Sequence, residues 1–135
     1  MLTGGIEDAL RALKAAGLRV GIICDVGFTP STHLRDHLDR RGLLQYFDGW
    51  SFSDEVGHYK PAKEIFDHAL GTVGNPAPER VAHIGDLRRT DVAGALAMGM
   101  TAIRYSGVFD DPAENGPEAT HVLADYRELP GLLGI

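Results

Sequence analysis

The sequence is poor in cysteine, in basic residues and in long apolar runs, and each shortage excludes something. One cysteine, Cys24, in 135 residues rules out an internal disulfide and fits a reducing compartment. Thirteen Lys and Arg against 19 Asp and Glu leave a net charge of −6. That balance argues against nucleic acid or an anionic membrane as a main partner, because both are polyanions. A small anionic substrate is not excluded, since its binding depends on local charge. No apolar stretch approaches the roughly 18 residues of a membrane span. The opening MLTGGIEDALRALKAAG carries Glu7, Asp8, Arg11 and Lys14 and so cannot be a signal-peptide core. There is no internal repeat and no low-complexity linker. The expectation is a soluble, cytoplasmic chain whose residues 1–135 form a single domain.

Helix-period and strand-like segments alternate along the chain. Ile6, Leu10 and Leu13 make an apolar stripe on a first helix that Gly17 ends. LRVGIIC (18–24) reads as a strand buried on both faces. Pro30 and Ser31 open a second helix, with Leu34 and Leu38 on one side and Gly42 at its close. WSFS (50–53) reads as a short strand, and Pro61 as the start of a third helix bearing Ile65, Phe66, Ala69 and Leu70. RVAHI (80–84) is a strand, followed by a helix that Thr90 would cap. TAIRY (101–105) is the next strand, 106–119 a loop, and THVL (120–123) an edge strand before a short terminal helix. The pattern predicts an α/β fold, a three-layer αβα Rossmann-like parallel sheet. Ligands in such sheets bind beyond the carboxyl ends of the strands, where Cys24, Asp25, Asp86 and the Tyr105–Ser106 end fall.

Two stretches carry candidate chemistry. In HIGDLRRTDVAGALAMGM (83–100), Asp86 follows a strand and Asp91 begins a helix five residues later. Such a pair of carboxylates can hold a hard cation, and Mg²⁺ suits because it takes oxygen ligands and keeps several waters. The plainer reading makes Asp86 a turn residue and Asp91 a favourable charge at a helix N-terminus. In SDEVGHYKPAKEIFDHAL (53–70), Lys60 stands directly before Pro61, which biases its backbone toward an extended conformation. A lysine held there could neutralise charge building on a transferred phosphoryl group, although a solvated lysine is the plainer reading.

In order and together, the GIICDVGFT (21–29), YFD and SDEVG, Lys60–Pro61 and GDxxxxD pieces resemble the haloacid dehalogenase (HAD) superfamily of hydrolases. The resemblance runs from about residue 3 to residue 105. It implies a HAD-like core, Mg²⁺-dependent phosphatase chemistry and a small phosphorylated metabolite as substrate. By that resemblance Cys24 and Asp25 occupy the phosphoryl-binding places of the second family motif, where Ser or Thr followed by Asn is usual. Lys60 corresponds to the lysine that stabilises the phosphoryl group and nucleophile, and Asp86 and Asp91 to the metal-binding acids. A competing alignment takes DVGFT as a degenerate DxDxT nucleophile motif, which would put Gly27 in place of the acid/base aspartate. The second-motif reading fits the surrounding helix and Lys-Pro segment better.

On that reading DxDxT is absent, as is the cap that selects substrate in many relatives. The first strand of the domain, which lies between the second-motif strand and the GD strand, is then also missing. The expectations are a truncated domain, little or no phosphatase activity in these 135 residues, and a homodimer or strand-swapped assembly. The alternative is a non-catalytic module acting through a partner chain. A phospho-receiver domain would place its acidic pair first and its lysine last, the reverse of the order here. His33 and His37, four apart, could ligate zinc but lack a visible third ligand, and read as surface residues. His83 reads as a hydrogen-bonded core or rim residue rather than a base. Arg88 and Arg89 could touch an anion but read as a solvated pair. Tyr46, Phe47 and Trp50 read as packing.

Overall fold

The computed structural model describes residues 5–27 and 30–135. The DxDxT-like reading of DVGFT needs Thr29, which lies outside the described residues. Helix α1 (Ile6–Ala15) buries Ala9, Leu10 and Leu13 on the stripe its spacing predicts. Gly17 follows it in the left-handed region, at φ 81°, where a side chain would be strained. Strand β1 (Gly21–Cys24) pairs in parallel with β2 (Gly49–Phe52), in the register Gly21 to Gly49 and Cys24 to Phe52. Helix α2 (Ser31–Arg40) connects them. After β2 come a one-turn helix α3 (Ser53–Val56) and then α4 (Lys63–Thr72).

The second half holds β3 (Ala82–Gly85), α5 (Ala93–Ala97), β4 (Thr101–Tyr105), β5 (His121–Leu123) and α6 (Leu129–Leu132). Strands β3, β4 and β5 form a second parallel sheet in that order. Alternation along β4 divides the core between the two faces of this sheet. Ile103 packs with Leu10 and Leu13 of α1 and Leu129 of α6. Ala102 packs with Ile65, Phe66 and Leu70 of α4 and with Val92 and Ala95. Ile65 and Phe66 are completely buried, and burial of each contributes roughly 1.5–3 kcal/mol. The architecture is thus parallel sheet between helical layers, as the alternation of segments predicts.

Three local expectations are corrected. β1 is half-buried rather than buried on both faces, and β3 is likewise, whereas β2 and β4 are largely buried. Among the described residues, each of the half-buried strands has a single strand neighbour, β2 for β1 and β4 for β3. Pro61 does not open α4: the Lys60–Pro61 peptide is cis, and the helix starts at Lys63 after Ala62. Thr90 does not cap the helix before β4. It lies inside a single π-helical turn, Arg88–Val92, that begins after Leu87 and runs into α5. The Asp91 side chain takes the capping part, accepting the Leu87 N–H at 3.2 Å and satisfying a donor that the helix start leaves free.

Candidate active site

β1 ends at Cys24 and β3 at Gly85, and the segments beyond them meet at Lys60. The Lys60 backbone N–H donates to Asp25 Oδ1 at 3.0 Å. Its ammonium lies 2.5 Å from Asp91 Oδ1, with side chains 12% and 4% exposed. One residue therefore ties the exit of β1 to the start of the α5 turn. The same Asp91 oxygen accepts from His83 Nε2 at 2.9 Å, so that imidazole nitrogen carries its proton. His83 sits edge-on to Phe66, with ring centroids 5.2 Å apart, and Phe66 fixes its plane.

Burial alone would raise the Asp91 carboxyl. The His83 hydrogen bond and the Lys60 charge outweigh it and hold Asp91 at about 2. Gly85 makes the arrangement possible: a Cβ there would come within 2.0 Å of the Asp91 carboxyl carbon. His83 and Gly85 are two apart on β3 and so share a face. One supplies a donor to Asp91, and the other leaves it room.

Cys24 is half-buried, and burial pushes its thiol up, with Lys60 opposing and Asp25, Asp54 and Asp91 adding to the rise. It is therefore a neutral thiol at pH 7, with no thiolate to repel a phosphate or to act as nucleophile. The loop beyond Asp25 is braced by α3. The Val26 N–H donates to Ser53 Oγ at 2.6 Å, and the Ser31 N–H to Asp54 Oδ2 at 3.0 Å. Arg35 of α2 pairs with Glu55 and lies over the Trp50 and Phe52 rings, 5.0 and 5.5 Å from their centroids. Trp50 is thus a packing residue with a cation on its face, while Tyr46 and Phe47 pack against the α1 core.

Arg88 is corrected from a solvated loop residue to a buried clamp. It is 5% exposed, and its Nε donates to the Asp111 carbonyl at 2.8 Å. Glu118 bridges Arg88 and the equally buried Arg104, at 3.1 and 2.9 Å, so the 106–119 loop is held from beneath by two guanidinium groups. The hydrogen bond from Arg104 leads the causes that hold Glu118 at about 2. Arg89 stays exposed and lines a cavity of about 280 Å³ with Leu87, Thr90 and Phe109. His33 and His37 are exposed on α2.

Asp86 is exposed at the end of β3, whereas both Asp91 oxygens already accept hydrogen bonds. Among the described residues, no group of three or more His, Cys, Asp and Glu side chains is arranged to hold a metal ion. The donor chemistry still fits Mg²⁺, which binds through one or two carboxylates and keeps its remaining waters. Among the described residues, Asp86 is the carboxylate of the pair that accepts no side-chain or backbone hydrogen bond. Of the expected residues, the structure brings Asp25, Lys60 and Asp91 together and leaves Asp86 exposed beside them; His83 is hydrogen-bonded, as the sequence reading has it, and its partner is Asp91. The signal for that contact was the face His83 shares with Gly85. Among the described residues, no helix is long and apolar enough to cross a membrane.

Residues 1–99 match the family model for haloacid dehalogenase-like hydrolases. The chain is 35% identical to a pyrimidine 5′-nucleotidase of Escherichia coli over 129 residues, 96% of this chain and 55% of that protein. A HAD phosphatase of Thermococcus onnurineus superposes with a TM-score of 0.84 at 29% identity, over 99% of this chain and 59% of that one. A Bacillus subtilis HAD hydrolase solved with magnesium bound superposes with a TM-score of 0.86 over 100% of this chain and 57% of that one; at 22% identity, this likeness bears on the fold. The chain spans about half the length of the curated relatives it matches. With parallel strands between helical layers and a lysine–aspartate pair at their carboxyl ends, the chain belongs to the haloacid dehalogenase-like hydrolases.

Proposed function

We propose that these residues form the phosphoryl-binding and cation-binding part of a Mg²⁺-dependent phosphohydrolase acting on a small phosphate monoester. We further propose that the 135 residues alone turn over such esters very slowly or not at all. The observation that carries both is the Lys60–Asp91 pair, buried at the strand ends beside an Asp25 whose carboxylate is already bound to the Lys60 amide.

Lys60 is fixed through its backbone by Asp25 and through its ammonium by Asp91, so its charge is preorganised where a phosphoryl oxygen would arrive. Cys24 as a neutral thiol tolerates that anion. Asp86, helped by Asp91, would hold Mg²⁺; the chemistry this ion supplies when bound is charge neutralisation on the phosphoryl oxygens. Asp25 is a poor nucleophile in this setting, because it braces Lys60. In the family, the attacking aspartate belongs to a strand with a DxDxT motif, which this sequence does not contain.

The test is hydrolysis of para-nitrophenyl phosphate by the pure chain with and without Mg²⁺. The expected rate is that of buffer. Turnover that disappears with Asp86→Ala would overturn the inactivity and restore Asp25 as a candidate nucleophile. A non-catalytic module acting through a partner is the second reading, favoured by the inner edges of β1 and β3, which pair with no other strand among the described residues.

A further inference from the structure

Leu87 follows Asp86 and Thr90 precedes Asp91, so the turn that carries both candidate cation-holding carboxylates bears these two residues as well. They form one wall of the cavity of about 280 Å³ that Arg89 shares, and Phe109, Asp111 and Asn115 of the 106–119 loop form the other. The walls are cross-linked. Asp111 is 4% exposed; its Oδ2 accepts the Arg88 N–H at 2.8 Å, and its Oδ1 accepts from Asn115 Nδ2 at 2.6 Å. Arg88 Nε donates to the Asp111 carbonyl at 2.8 Å. The cavity is therefore preorganised, and its volume is near the low end for small-molecule sites.

Its surface is of two kinds. Leu87 and Phe109 are 41% and 45% exposed, large apolar groups left open beside a charged rim. The charge that remains is positive. Arg88 and Arg104 are taken up by Glu118 and Asp110, whereas Arg89 is exposed and pairs with no carboxylate among the described residues.

We propose that this cavity seats the organic part of the substrate, and that this part is a flat aromatic ring bearing a carboxylate. The inference rests on the phosphohydrolase reading and narrows its phosphate monoester to an aryl phosphate with a second anionic group.

Position, surface and charge each select that occupant. Consecutive α-carbons are about 3.8 Å apart, so a group resting on Leu87 is near enough to Asp86 to be bonded to a phosphoryl group there. Leu87 gives a ring apolar contact, and Phe109 adds an aromatic partner for offset or edge-on packing. A polyol would lay its hydroxyls against those two side chains, and Asp111, with both oxygens engaged, could not take them up. The planar fork of the Arg89 guanidinium matches a carboxylate on the ring.

The experiment titrates the whole 135-residue chain, isotopically labelled and with Mg²⁺ present, and follows its amide signals. The probes are inorganic phosphate, glycerol 3-phosphate, phenyl phosphate and 4-carboxyphenyl phosphate, with 4-hydroxybenzoate as the ring without phosphorus. Phenyl phosphate should bind more tightly than inorganic phosphate or glycerol 3-phosphate, and 4-carboxyphenyl phosphate about tenfold more tightly again. Both ring esters should shift Thr90 and Phe109 as well as Lys60, whereas 4-hydroxybenzoate should shift Thr90 and Phe109 without Lys60. Phe109→Ala and Arg89→Gln, both at exposed positions, should each cut the preference for 4-carboxyphenyl phosphate over inorganic phosphate about tenfold. Three results would overturn the proposal: glycerol 3-phosphate bound as tightly as phenyl phosphate, ring esters that shift Lys60 but leave Phe109 still, or a preference that neither variant changes. Failure of the phosphohydrolase reading looks different. If inorganic phosphate moves Lys60 and the rings add nothing, the subsite is wrong and the phosphoryl site stands. If 4-hydroxybenzoate moves Phe109 while no phosphate moves Lys60, the phosphoryl site is wrong and the subsite falls with it.

Discussion

Replacing Asp91 with asparagine keeps the size of the side chain and removes the charge on which Lys60 and His83 converge. In the folded protein the carboxyl is held at about 2, against an ordinary value of 3.8. At about 1.4 kcal/mol per tenfold, that displacement corresponds to on the order of 2 kcal/mol of stability at neutral pH. The side chain is 4% exposed, so solvent screening takes little from it. Because the folded value is depressed, this stabilisation is fully present well above 3.8 and is lost as pH falls toward 2. Roughly half should be gone by pH 3. The variant also leaves the Lys60 ammonium without its anion, which pushes the loss at pH 7 toward about 3 kcal/mol or more. Urea unfolding followed by Trp50 fluorescence should be run on both proteins at pH 7, 5, 4 and 3. Taking the difference between them removes the other acid-titrating groups, including Asp48, Glu55, Asp111 and Glu118. A difference that is as large at pH 3 as at pH 7 would refute the reasoning, because the carboxylate charge would then not be what the pocket stabilises.

Gly85→Ala should destabilise the fold by about 2 kcal/mol or more, because the new methyl meets the Asp91 carboxyl rather than space; an unchanged melting temperature would contradict the close approach. Glu118→Ala should remove the carboxylate that joins Arg88 to Arg104, leaving each guanidinium its remaining loop partner, and limited proteolysis within 106–117 should then accelerate several-fold. An unaltered cleavage rate there would mean that the loop holds by other means. Cys24 should react with iodoacetamide more slowly than a free cysteine peptide at pH 7, with a rate still climbing above pH 9, since burial raises its thiol.

Much of this fold could be read locally. The stripe of Ile6, Leu10 and Leu13 sets α1, and glycines in the left-handed region follow α1 and α2 where the sequence puts Gly17 and Gly42. What failed depended on contacts between distant positions. Asp91 turning back to the Leu87 amide displaces the helix start that Thr90 suggests. Arg88 looks like a solvated loop residue until the chain brings Glu118 and Asp111 over it, 30 and 23 positions later. β1 carries the composition of a strand buried on both faces, but burial depends on neighbours, and among the described residues its inner edge has none in its sheet. Of the candidate site, the sequence pointed to positions 60 and 91, which the structure brings into contact. The sharing of one Asp91 oxygen by Lys60 and His83 was not legible, because nothing local couples positions 31 and eight residues away.

The bond from the Lys60 amide to Asp25 has a consequence for what position 25 can be. The amide needs only an oxygen acceptor at 3.0 Å, and a carboxamide offers one as readily as a carboxylate. Architecture at this corner is therefore indifferent to charge, while the potential at the rim is not. Exchanging Asp25 for Asn would keep Lys60 where it is and shift the local field by a full unit toward anions. The position works as a dial on how attractive the rim is to a negative ligand, one that can be turned without moving the lysine.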